Sequence, residues 1–171
     1  MLKKRGPKGP SKWTENWEKT YPKEWPGVLL DSIILRNNEF DKEKDLALYL
    51  QLNMNVFVEE LLEDKLVAYE LERPVNAKIR TFATKTPRMD IWIKGEKSNY
   101  IIELKNPSAP VENRYAIGQI LDYGREEPEA EMILITTLFD MNTAKTIKHY
   151  NLPIRYIYFE KSKFLEYKNH G

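Results

Sequence analysis

Residues 89–105, M-D-I-W-I-K-G-E-K-S-N-Y-I-I-E-L-K, decide the fold of this chain. Ile91 and Ile93 alternate with Asp90 and Trp92 in the first stretch, and Ile102 and Leu104 alternate with Glu103 and Lys105 in the second. The polar turn 95–98 joins the two stretches. Alternation with a period of two is typical of strands, and a short connection that contains glycine indicates a hairpin. The segment therefore predicts two antiparallel strands joined by a tight turn.

Helix and strand patterns continue on both sides of this hairpin. Before it, Asp41 is a predicted N-cap for a helix whose apolar face includes Leu46 and Leu50. Further helical turns are predicted over 56–66, with short strands at 66–71 and 79–82. After the hairpin, the sequence predicts a helix at 114–126, a strand at 132–137, a helix at 142–150 and a strand at 154–159. This order predicts an α/β domain in which helices flank a mixed sheet.

The composition excludes several classes of site. The 171 residues include no cysteine and only two histidines, His149 and His170, so a disulfide scaffold, a cysteine nucleophile and a multi-histidine metal cage are excluded. The glycines form no phosphate-binding loop or nucleophile elbow, and we expect no nucleotide cofactor. No apolar run reaches the roughly 18–20 residues of a membrane span. We therefore expect a soluble, cytoplasmic protein that does not contact membranes.

The polar face of the predicted hairpin carries Asp90, Glu103 and Lys105. Residues two apart on a strand point to the same side, and antiparallel pairing brings Asp90 close to Glu103. Two neighbouring carboxylates repel each other unless a cation neutralises them, and hard oxygen ligands suit Mg²⁺ or Mn²⁺. Lys105 is then placed to orient a water molecule and to offset charge on a phosphoryl group. The pattern predicts a site for metal-dependent hydrolysis of phosphodiesters.

The motif continues in the next helix, where Gln119 and Tyr123 lie four residues apart on one stripe. Asp90, the run Glu103-Leu104-Lys105 and this Gln-x-x-x-Tyr pair together resemble the PD-(D/E)XK nuclease superfamily, in particular its RecB-like branch. The longer string P-R-M-D-I…I-I-E-L-K…A-I-G-Q-I-L-D-Y is similar to the catalytic domain of NucS-type archaeal endonucleases. The resemblance covers roughly 41–159 and implies a restriction-endonuclease-like α/β fold, a mixed central sheet flanked by helices with an α-β-β-β-α-β core.

The resemblance also implies a role for each motif residue. Asp90 and Glu103 would be metal ligands, assisted by the backbone carbonyl of Leu104. Lys105 would be the catalytic lysine, and Gln119 would lie near the metal or the substrate phosphate.

Members of the superfamily often add an acid from the first helix. Glu43 is the candidate here, with Glu59 and Glu60 as alternatives. One departure from the family pattern is Met89, which stands directly before Asp90 where many members have proline.

We divide the chain into three parts: a basic, aromatic-rich arm at 1–39, the nuclease-like domain at 40–160 and a C-terminal tail at 161–171. The arm suits a nucleic-acid backbone, but a solvated tail with an aromatic clasp on the domain or on a second subunit explains it equally well. The candidate DNA-binding residues are Lys3, Lys4, Arg5 and Lys8 in the arm, Arg88 and Arg114 beside the site, and Tyr123.

The sequence thus predicts a Mg²⁺- or Mn²⁺-dependent DNA endonuclease. We expect a homodimer, because a second copy is the simplest way for a small domain to cut both strands. The alternative is a catalytically inactive module on the same fold that binds nucleic acid or another protein.

Overall fold

The computed structural model describes residues 34–74 and 88–164. The predicted strand at 79–82 and the arm residues Lys3, Lys4, Arg5 and Lys8 lie outside these ranges. The helices are α1 (Glu43–Leu52), α2 (Met54–Leu61), α3 (Val111–Glu126) and α4 (Met141–His149). The strands are β1 (Ile34–Arg36), β2 (Leu66–Pro74), β3 (Arg88–Gly95), β4 (Asn99–Lys105), β5 (Ala130–Thr136), β6 (Leu138–Asp140) and β7 (Ile154–Tyr158). None of the described helices is long and apolar enough to cross a membrane.

A five-stranded sheet with the order β2-β3-β4-β5-β7 forms the centre of the fold. Strands β2, β3 and β4 pair antiparallel, whereas β4, β5 and β7 pair parallel. Strands β1 and β6 form a separate two-stranded antiparallel sheet. The predicted α/β class, a mixed central sheet flanked by helices, is confirmed.

Each face of the central sheet is covered by helices. One core joins α1 and α2 to the sheet through side chains such as Leu50, Phe57 and Ile102. The second core joins α3 and α4 to the opposite face through side chains such as Ile101 and Ile120. Because neighbouring residues of β4 point to opposite faces, Ile101 and Ile102 belong to different cores. The alternation seen in the sequence therefore separates two buried faces rather than a core from solvent.

The carboxylate of Asp64 holds the turn of the β3–β4 hairpin. It accepts hydrogen bonds from the backbone N–H groups of Lys97 (3.0 Å) and Ser98 (3.1 Å) and from the hydroxyl of Tyr100 (2.7 Å). Burial opposes the charged form of Asp64, but these hydrogen bonds outweigh it and lower the pKa of the carboxyl. A Cβ at Gly95 would lie 2.7 Å from the Cγ of Asp64, so a larger residue there would displace this carboxylate.

Helix α1 begins one residue later than its predicted cap suggests. The N-cap is Lys42 rather than Asp41, because the side chain of Asp45 accepts the backbone N–H of Lys42 at 3.0 Å. An acid in the first turn thus satisfies the helix start from within the helix.

Helix α3 begins at Val111, earlier than the predicted 114. The side chain of Glu112 accepts the backbone N–H groups of Ser108 (2.7 Å) and Ala109 (3.2 Å), which organises the chain around Pro110 and allows the helix to start there. The short strands β1 and β6 were not predicted, because three residues are too few to display an alternating pattern.

Candidate active site

Asp90 and Glu103 lie where the pairing of the hairpin strands ends. The last pair in the register of β3 and β4 is Ile91 with Ile102, and the two acids are the next residue on each strand. There the side chain of Asp90 takes the place of a backbone partner, as its Oδ2 accepts the N–H of Leu104 at 2.8 Å. This hydrogen bond holds the carboxylate of Asp90 against β4.

Lys105 completes a group of three charged side chains. It lies two residues beyond Glu103 on β4, on the same side of the strand, and its Nζ is 3.6 Å from Glu103 Oε1. The Glu103 side chain is 5% exposed and the Lys105 side chain is 20% exposed, so the lysine lies nearer to solvent. The structure thus brings together the three residues that the sequence placed on one face.

Burial and mutual repulsion control the ionisation of the two acids. Burial is the main cause that raises the pKa of Glu103 to about 8, followed by the negative charge of Asp90, while Lys105 acts in the opposite direction. The pKa of Asp90 is also raised, mainly by burial, against the hydrogen bond from Leu104 and the charge of Lys105. Burial and mutual repulsion therefore both favour the protonated form of this pair, and a nearby positive charge opposes them.

The donor set fits a hard divalent cation. Glu103 Oε2 is buried and has no hydrogen-bond partner within the described residues. Such an orphaned oxygen costs free energy, which a bound cation would recover. Across 34–74 and 88–164, no three Asp, Glu or His side chains form a ready-made metal cage. Two carboxylates match Mg²⁺, which usually takes one or two from the protein and fills its remaining positions with water and substrate phosphate.

Glu43 lies at the rim of this site, as the first residue of α1. Although its side chain is exposed overall, partial burial of the carboxyl raises its pKa, and the charge of Asp90 raises it further. The charge of Lys105 and a hydrogen bond from the backbone N–H of Asn106 lower the pKa of Glu43. Of the three acids proposed from the first helices, Glu43 is the one whose charge acts on Glu103.

The two alternatives, Glu59 and Glu60, lie further along the chain in α2. Neither is among the main charges that shift the pKa of Asp90 or Glu103.

The two residues of the Gln-x-x-x-Tyr pair of α3 differ in burial: Tyr123 is buried and Gln119 is exposed. Tyr123 is only 6% exposed, and its pKa is raised to about 12 by burial and then by the charges of Glu103 and Asp90. Tyr123 therefore lies beside the acids, in a buried position rather than on a surface where a base could stack. Gln119 is exposed, and its side chain makes no hydrogen bond to another described residue. Within the described residues, no hydrogen bond joins Gln119 to Asp90, Glu103 or Lys105.

The remaining candidates fall into two groups. Arg88 is the first residue of β3 and Arg114 lies near the start of α3, and both are exposed. The arm residues, Lys3, Lys4, Arg5 and Lys8, lie outside the described part of the chain.

A polar cluster that sequence analysis missed supports β3 just beyond Asp90. Trp92 Nε1 donates to Glu127 Oε2 at 2.9 Å, and Arg73 Nη2 lies 3.1 Å from Glu127 Oε1. The Arg73 guanidinium also lies 4.2 Å from the centroid of the Trp92 ring. The cluster ties β2, β3 and the end of α3 together. In the sequence, only Trp92 hints at this cluster, because it shares a strand face with Asp90 and a buried indole N–H needs a hydrogen-bond partner.

Neither a protein-family model nor a curated protein matches the chain. Among solved structures, the crystal structure of a repair endonuclease from Pyrococcus abyssi is similar to it, with 14% sequence identity and a TM-score of 0.49. The match covers 72% of this chain and 49% of that one, so this chain spans about half the length of that protein.

Proposed function

We propose that this protein is a divalent-metal-dependent deoxyribonuclease that cuts DNA internally. The observation that carries the proposal is the meeting of Asp90, Glu103 and Lys105 at one point, with Glu103 Oε2 buried and unpaired. Two desolvated acids beside a lysine are unfavourable for stability alone, and such groups concentrate at functional sites.

In this proposal each residue has a separate task. Asp90 and Glu103, with the carbonyl oxygen of Leu104, would hold Mg²⁺ or Mn²⁺. Such an ion, when bound, lowers the pKa of a water molecule and polarises a phosphoryl oxygen. Lys105 would orient the attacking water and stabilise the negative charge that builds up on the phosphoryl oxygens.

The reaction is an ordinary hydrolysis. The water oxygen forms a bond to phosphorus, and the bond from phosphorus to the leaving sugar oxygen breaks. The attacking water gives up a proton to solvent, and the leaving oxygen takes one up. No covalent intermediate with the protein is needed, which suits a site without Cys or His.

Nicking of supercoiled plasmid tests the proposal. We expect cleavage in Mg²⁺ or Mn²⁺ and none in EDTA, and Lys105→Ala should slow it by about 10²–10⁴. Lys94→Ala is the matched control, because Lys94 is an exposed lysine beside the turn at the other end of the same hairpin. The proposal fails if the wild-type protein cleaves no DNA with either metal, or if Lys105→Ala cleaves as fast as the wild type.

The preferred DNA structure is found with a panel of branched, mismatched, single-stranded and linear substrates in the same assay. We further propose a homodimer, since two sites are needed to cut both strands at once. Light scattering at the working concentration tests this, and a monomeric mass would contradict it.

The alternative function is a nucleic-acid-binding or protein-interaction module without catalysis. The ion pair between Lys105 and Glu103 favours it, because the lysine already neutralises part of the acidic pair. Such a module would bind DNA while Lys105→Ala and the wild type were equally inactive.

A further inference from the structure

A surface groove of about 290 Å³ opens beside the candidate site. Its walls come from the end of β1, the connection to α1 and the segment after β4, and they include Arg36, Asn38, Phe40, Asp41, Asn106 and Ser108. Asn106 directly follows Lys105, and its backbone N–H donates a hydrogen bond to the carboxyl of Glu43. Asn106 therefore connects the wall of the groove to Lys105 and Glu43 of the candidate site.

The groove lies at the edge of the sheet where ligands are usually bound. Strands β4, β5 and β7 run parallel, and crevices outside the carboxyl ends of parallel strands are common ligand sites. The wall that follows β4 is held in place by Asn106, whose Nδ2 donates to the carbonyl of Phe40 at 3.0 Å. Asn106 Oδ1 also accepts the hydroxyl of Thr137 at 2.6 Å. Two hydrogen bonds of the Asn106 side chain therefore fix this wall.

The groups still available in the groove differ in charge and hydrogen-bonding character. Arg36 is exposed and forms no ion pair with another described residue. Asn38 offers an exposed amide, and Asp41 adds one carboxylate. An arginine binds phosphate through two parallel hydrogen bonds, whereas amides and carboxylates pair with the neutral edges of bases. A single basic group together with neutral and acidic acceptors suits a nucleotide better than a free inorganic anion.

We infer that this groove binds the nucleotide next to the scissile phosphate, with Arg36 contacting the phosphate of that nucleotide. The inference rests on the proposed nuclease function, since the strand must pass from the groove to Asp90 and Glu103. It adds a DNA-binding residue, Arg36, that no sequence motif marks.

Binding of a fluorescently labelled single-stranded oligonucleotide to the full chain, followed by anisotropy in EDTA, tests the inference without cleavage. We expect Arg36→Ala to weaken binding by roughly tenfold. The plot of log affinity against log salt concentration has a negative slope. For Arg36→Ala this slope should be shallower than for the wild type by about 0.7, as expected when one phosphate contact to a single strand is lost. Arg36→Lys should keep most of that slope, because the charge remains. Lys94→Ala, which removes an exposed charge remote from the groove, should bind like the wild type.

The outcomes separate this inference from the proposed function. If the wild type cleaves DNA and Arg36→Ala keeps both the affinity and the salt slope, the groove does not bind the strand and the nuclease proposal stands. If the salt dependence of Arg36→Ala is shallower as predicted while Lys105→Ala cleaves like the wild type, the groove binds the strand and the catalytic assignment is wrong. Arg36 is exposed, so we expect its variants to unfold at the wild-type temperature, which makes a binding defect interpretable.

Discussion

The carboxylate of Asp90 accepts a 2.8 Å hydrogen bond from the backbone N–H of Leu104 at the point where β3 and β4 stop pairing. One side chain thus closes the end of the sheet ladder and also presents a carboxylate next to Glu103. The structural role and the proposed catalytic role of Asp90 can therefore be separated by mutation.

We predict that Asp90→Asn folds like the wild type, because the amide oxygen can still accept the Leu104 N–H. Asp90→Ala leaves that N–H unpaired and should lower the free energy of unfolding by about 1–3 kcal/mol. Both variants should lose metal-dependent nicking by about 10²–10⁴, since both lose a metal ligand. Urea unfolding and the plasmid assay measure the two effects. Full activity in Asp90→Asn would contradict the assignment of Asp90 as a metal ligand.

The raised pKa of Glu103 leads to a prediction of how the free energy of unfolding depends on pH in metal-free buffer. Its pKa is raised from 4.5 to about 8, so between these values the folded protein holds a proton that the unfolded chain releases. The free energy of unfolding contributed by this group therefore falls as the pH rises from about 4.5 to about 8. Glu103→Gln removes this titration, and its unfolding free energy should decline less steeply over the interval.

Urea unfolding at a series of pH values in EDTA measures this difference. Glu59→Gln, which changes an exposed acid of α2, should keep the wild-type slope and serves as the control. Equal slopes for Glu103→Gln and the wild type would show that Glu103 titrates normally.

Two glycines give opposite predictions for the same substitution. Gly95→Ala would place a Cβ 2.7 Å from the Cγ of Asp64, and we expect a loss of about 1–3 kcal/mol. Gly118 lies inside α3, where a Cβ would meet nothing within 4 Å, and Gly118→Ala should add about 0.5–1 kcal/mol. Thermal unfolding of both variants provides the comparison. Stabilisation by Gly95→Ala would contradict the tight packing between this turn and Asp64.

The cluster around Glu127 predicts a graded loss of stability. Glu127→Gln keeps an acceptor for the Trp92 indole and weakens only the contact with Arg73, so we expect a loss below about 1.5 kcal/mol. Glu127→Ala leaves both partners without their contact and should cost about 2–3 kcal/mol. Urea unfolding ranks the two variants, and equal losses would mean that the cluster does not support β3.

The hairpin could be predicted because its alternation is set by local sequence. Ile91 and Ile102 pack in one core while Trp92 and Ile101 face the other, so the period of two determines where Asp90 and Glu103 point. The apolar run of β5 and the amphipathic stretch of α3 were predictable for the same reason. Strand β5 is Ala130–Thr136 where 132–137 was predicted, and α3 begins three residues earlier than predicted.

Features formed by distant residues could not be predicted. Asp64 holds the hairpin turn from a loop far from it in sequence, and Asn113 donates to the carbonyl of Leu138 at 2.7 Å across the buried α3–β6 contact. The exposure of Gln119 depends on how α3 is rotated over the sheet, which a spacing of four residues does not define. The groove at Arg36 joins three separate segments, so no local motif indicates it.

Binding of Mn²⁺ to the metal-free protein, followed by the paramagnetic resonance signal of the free ion, tests the shared cation pocket most directly. We predict that the wild type binds Mn²⁺ and that Glu103→Gln abolishes this binding, while Glu59→Gln binds as the wild type does. Wild-type affinity in Glu103→Gln would contradict the account, because the two buried acids would then have no ion to share.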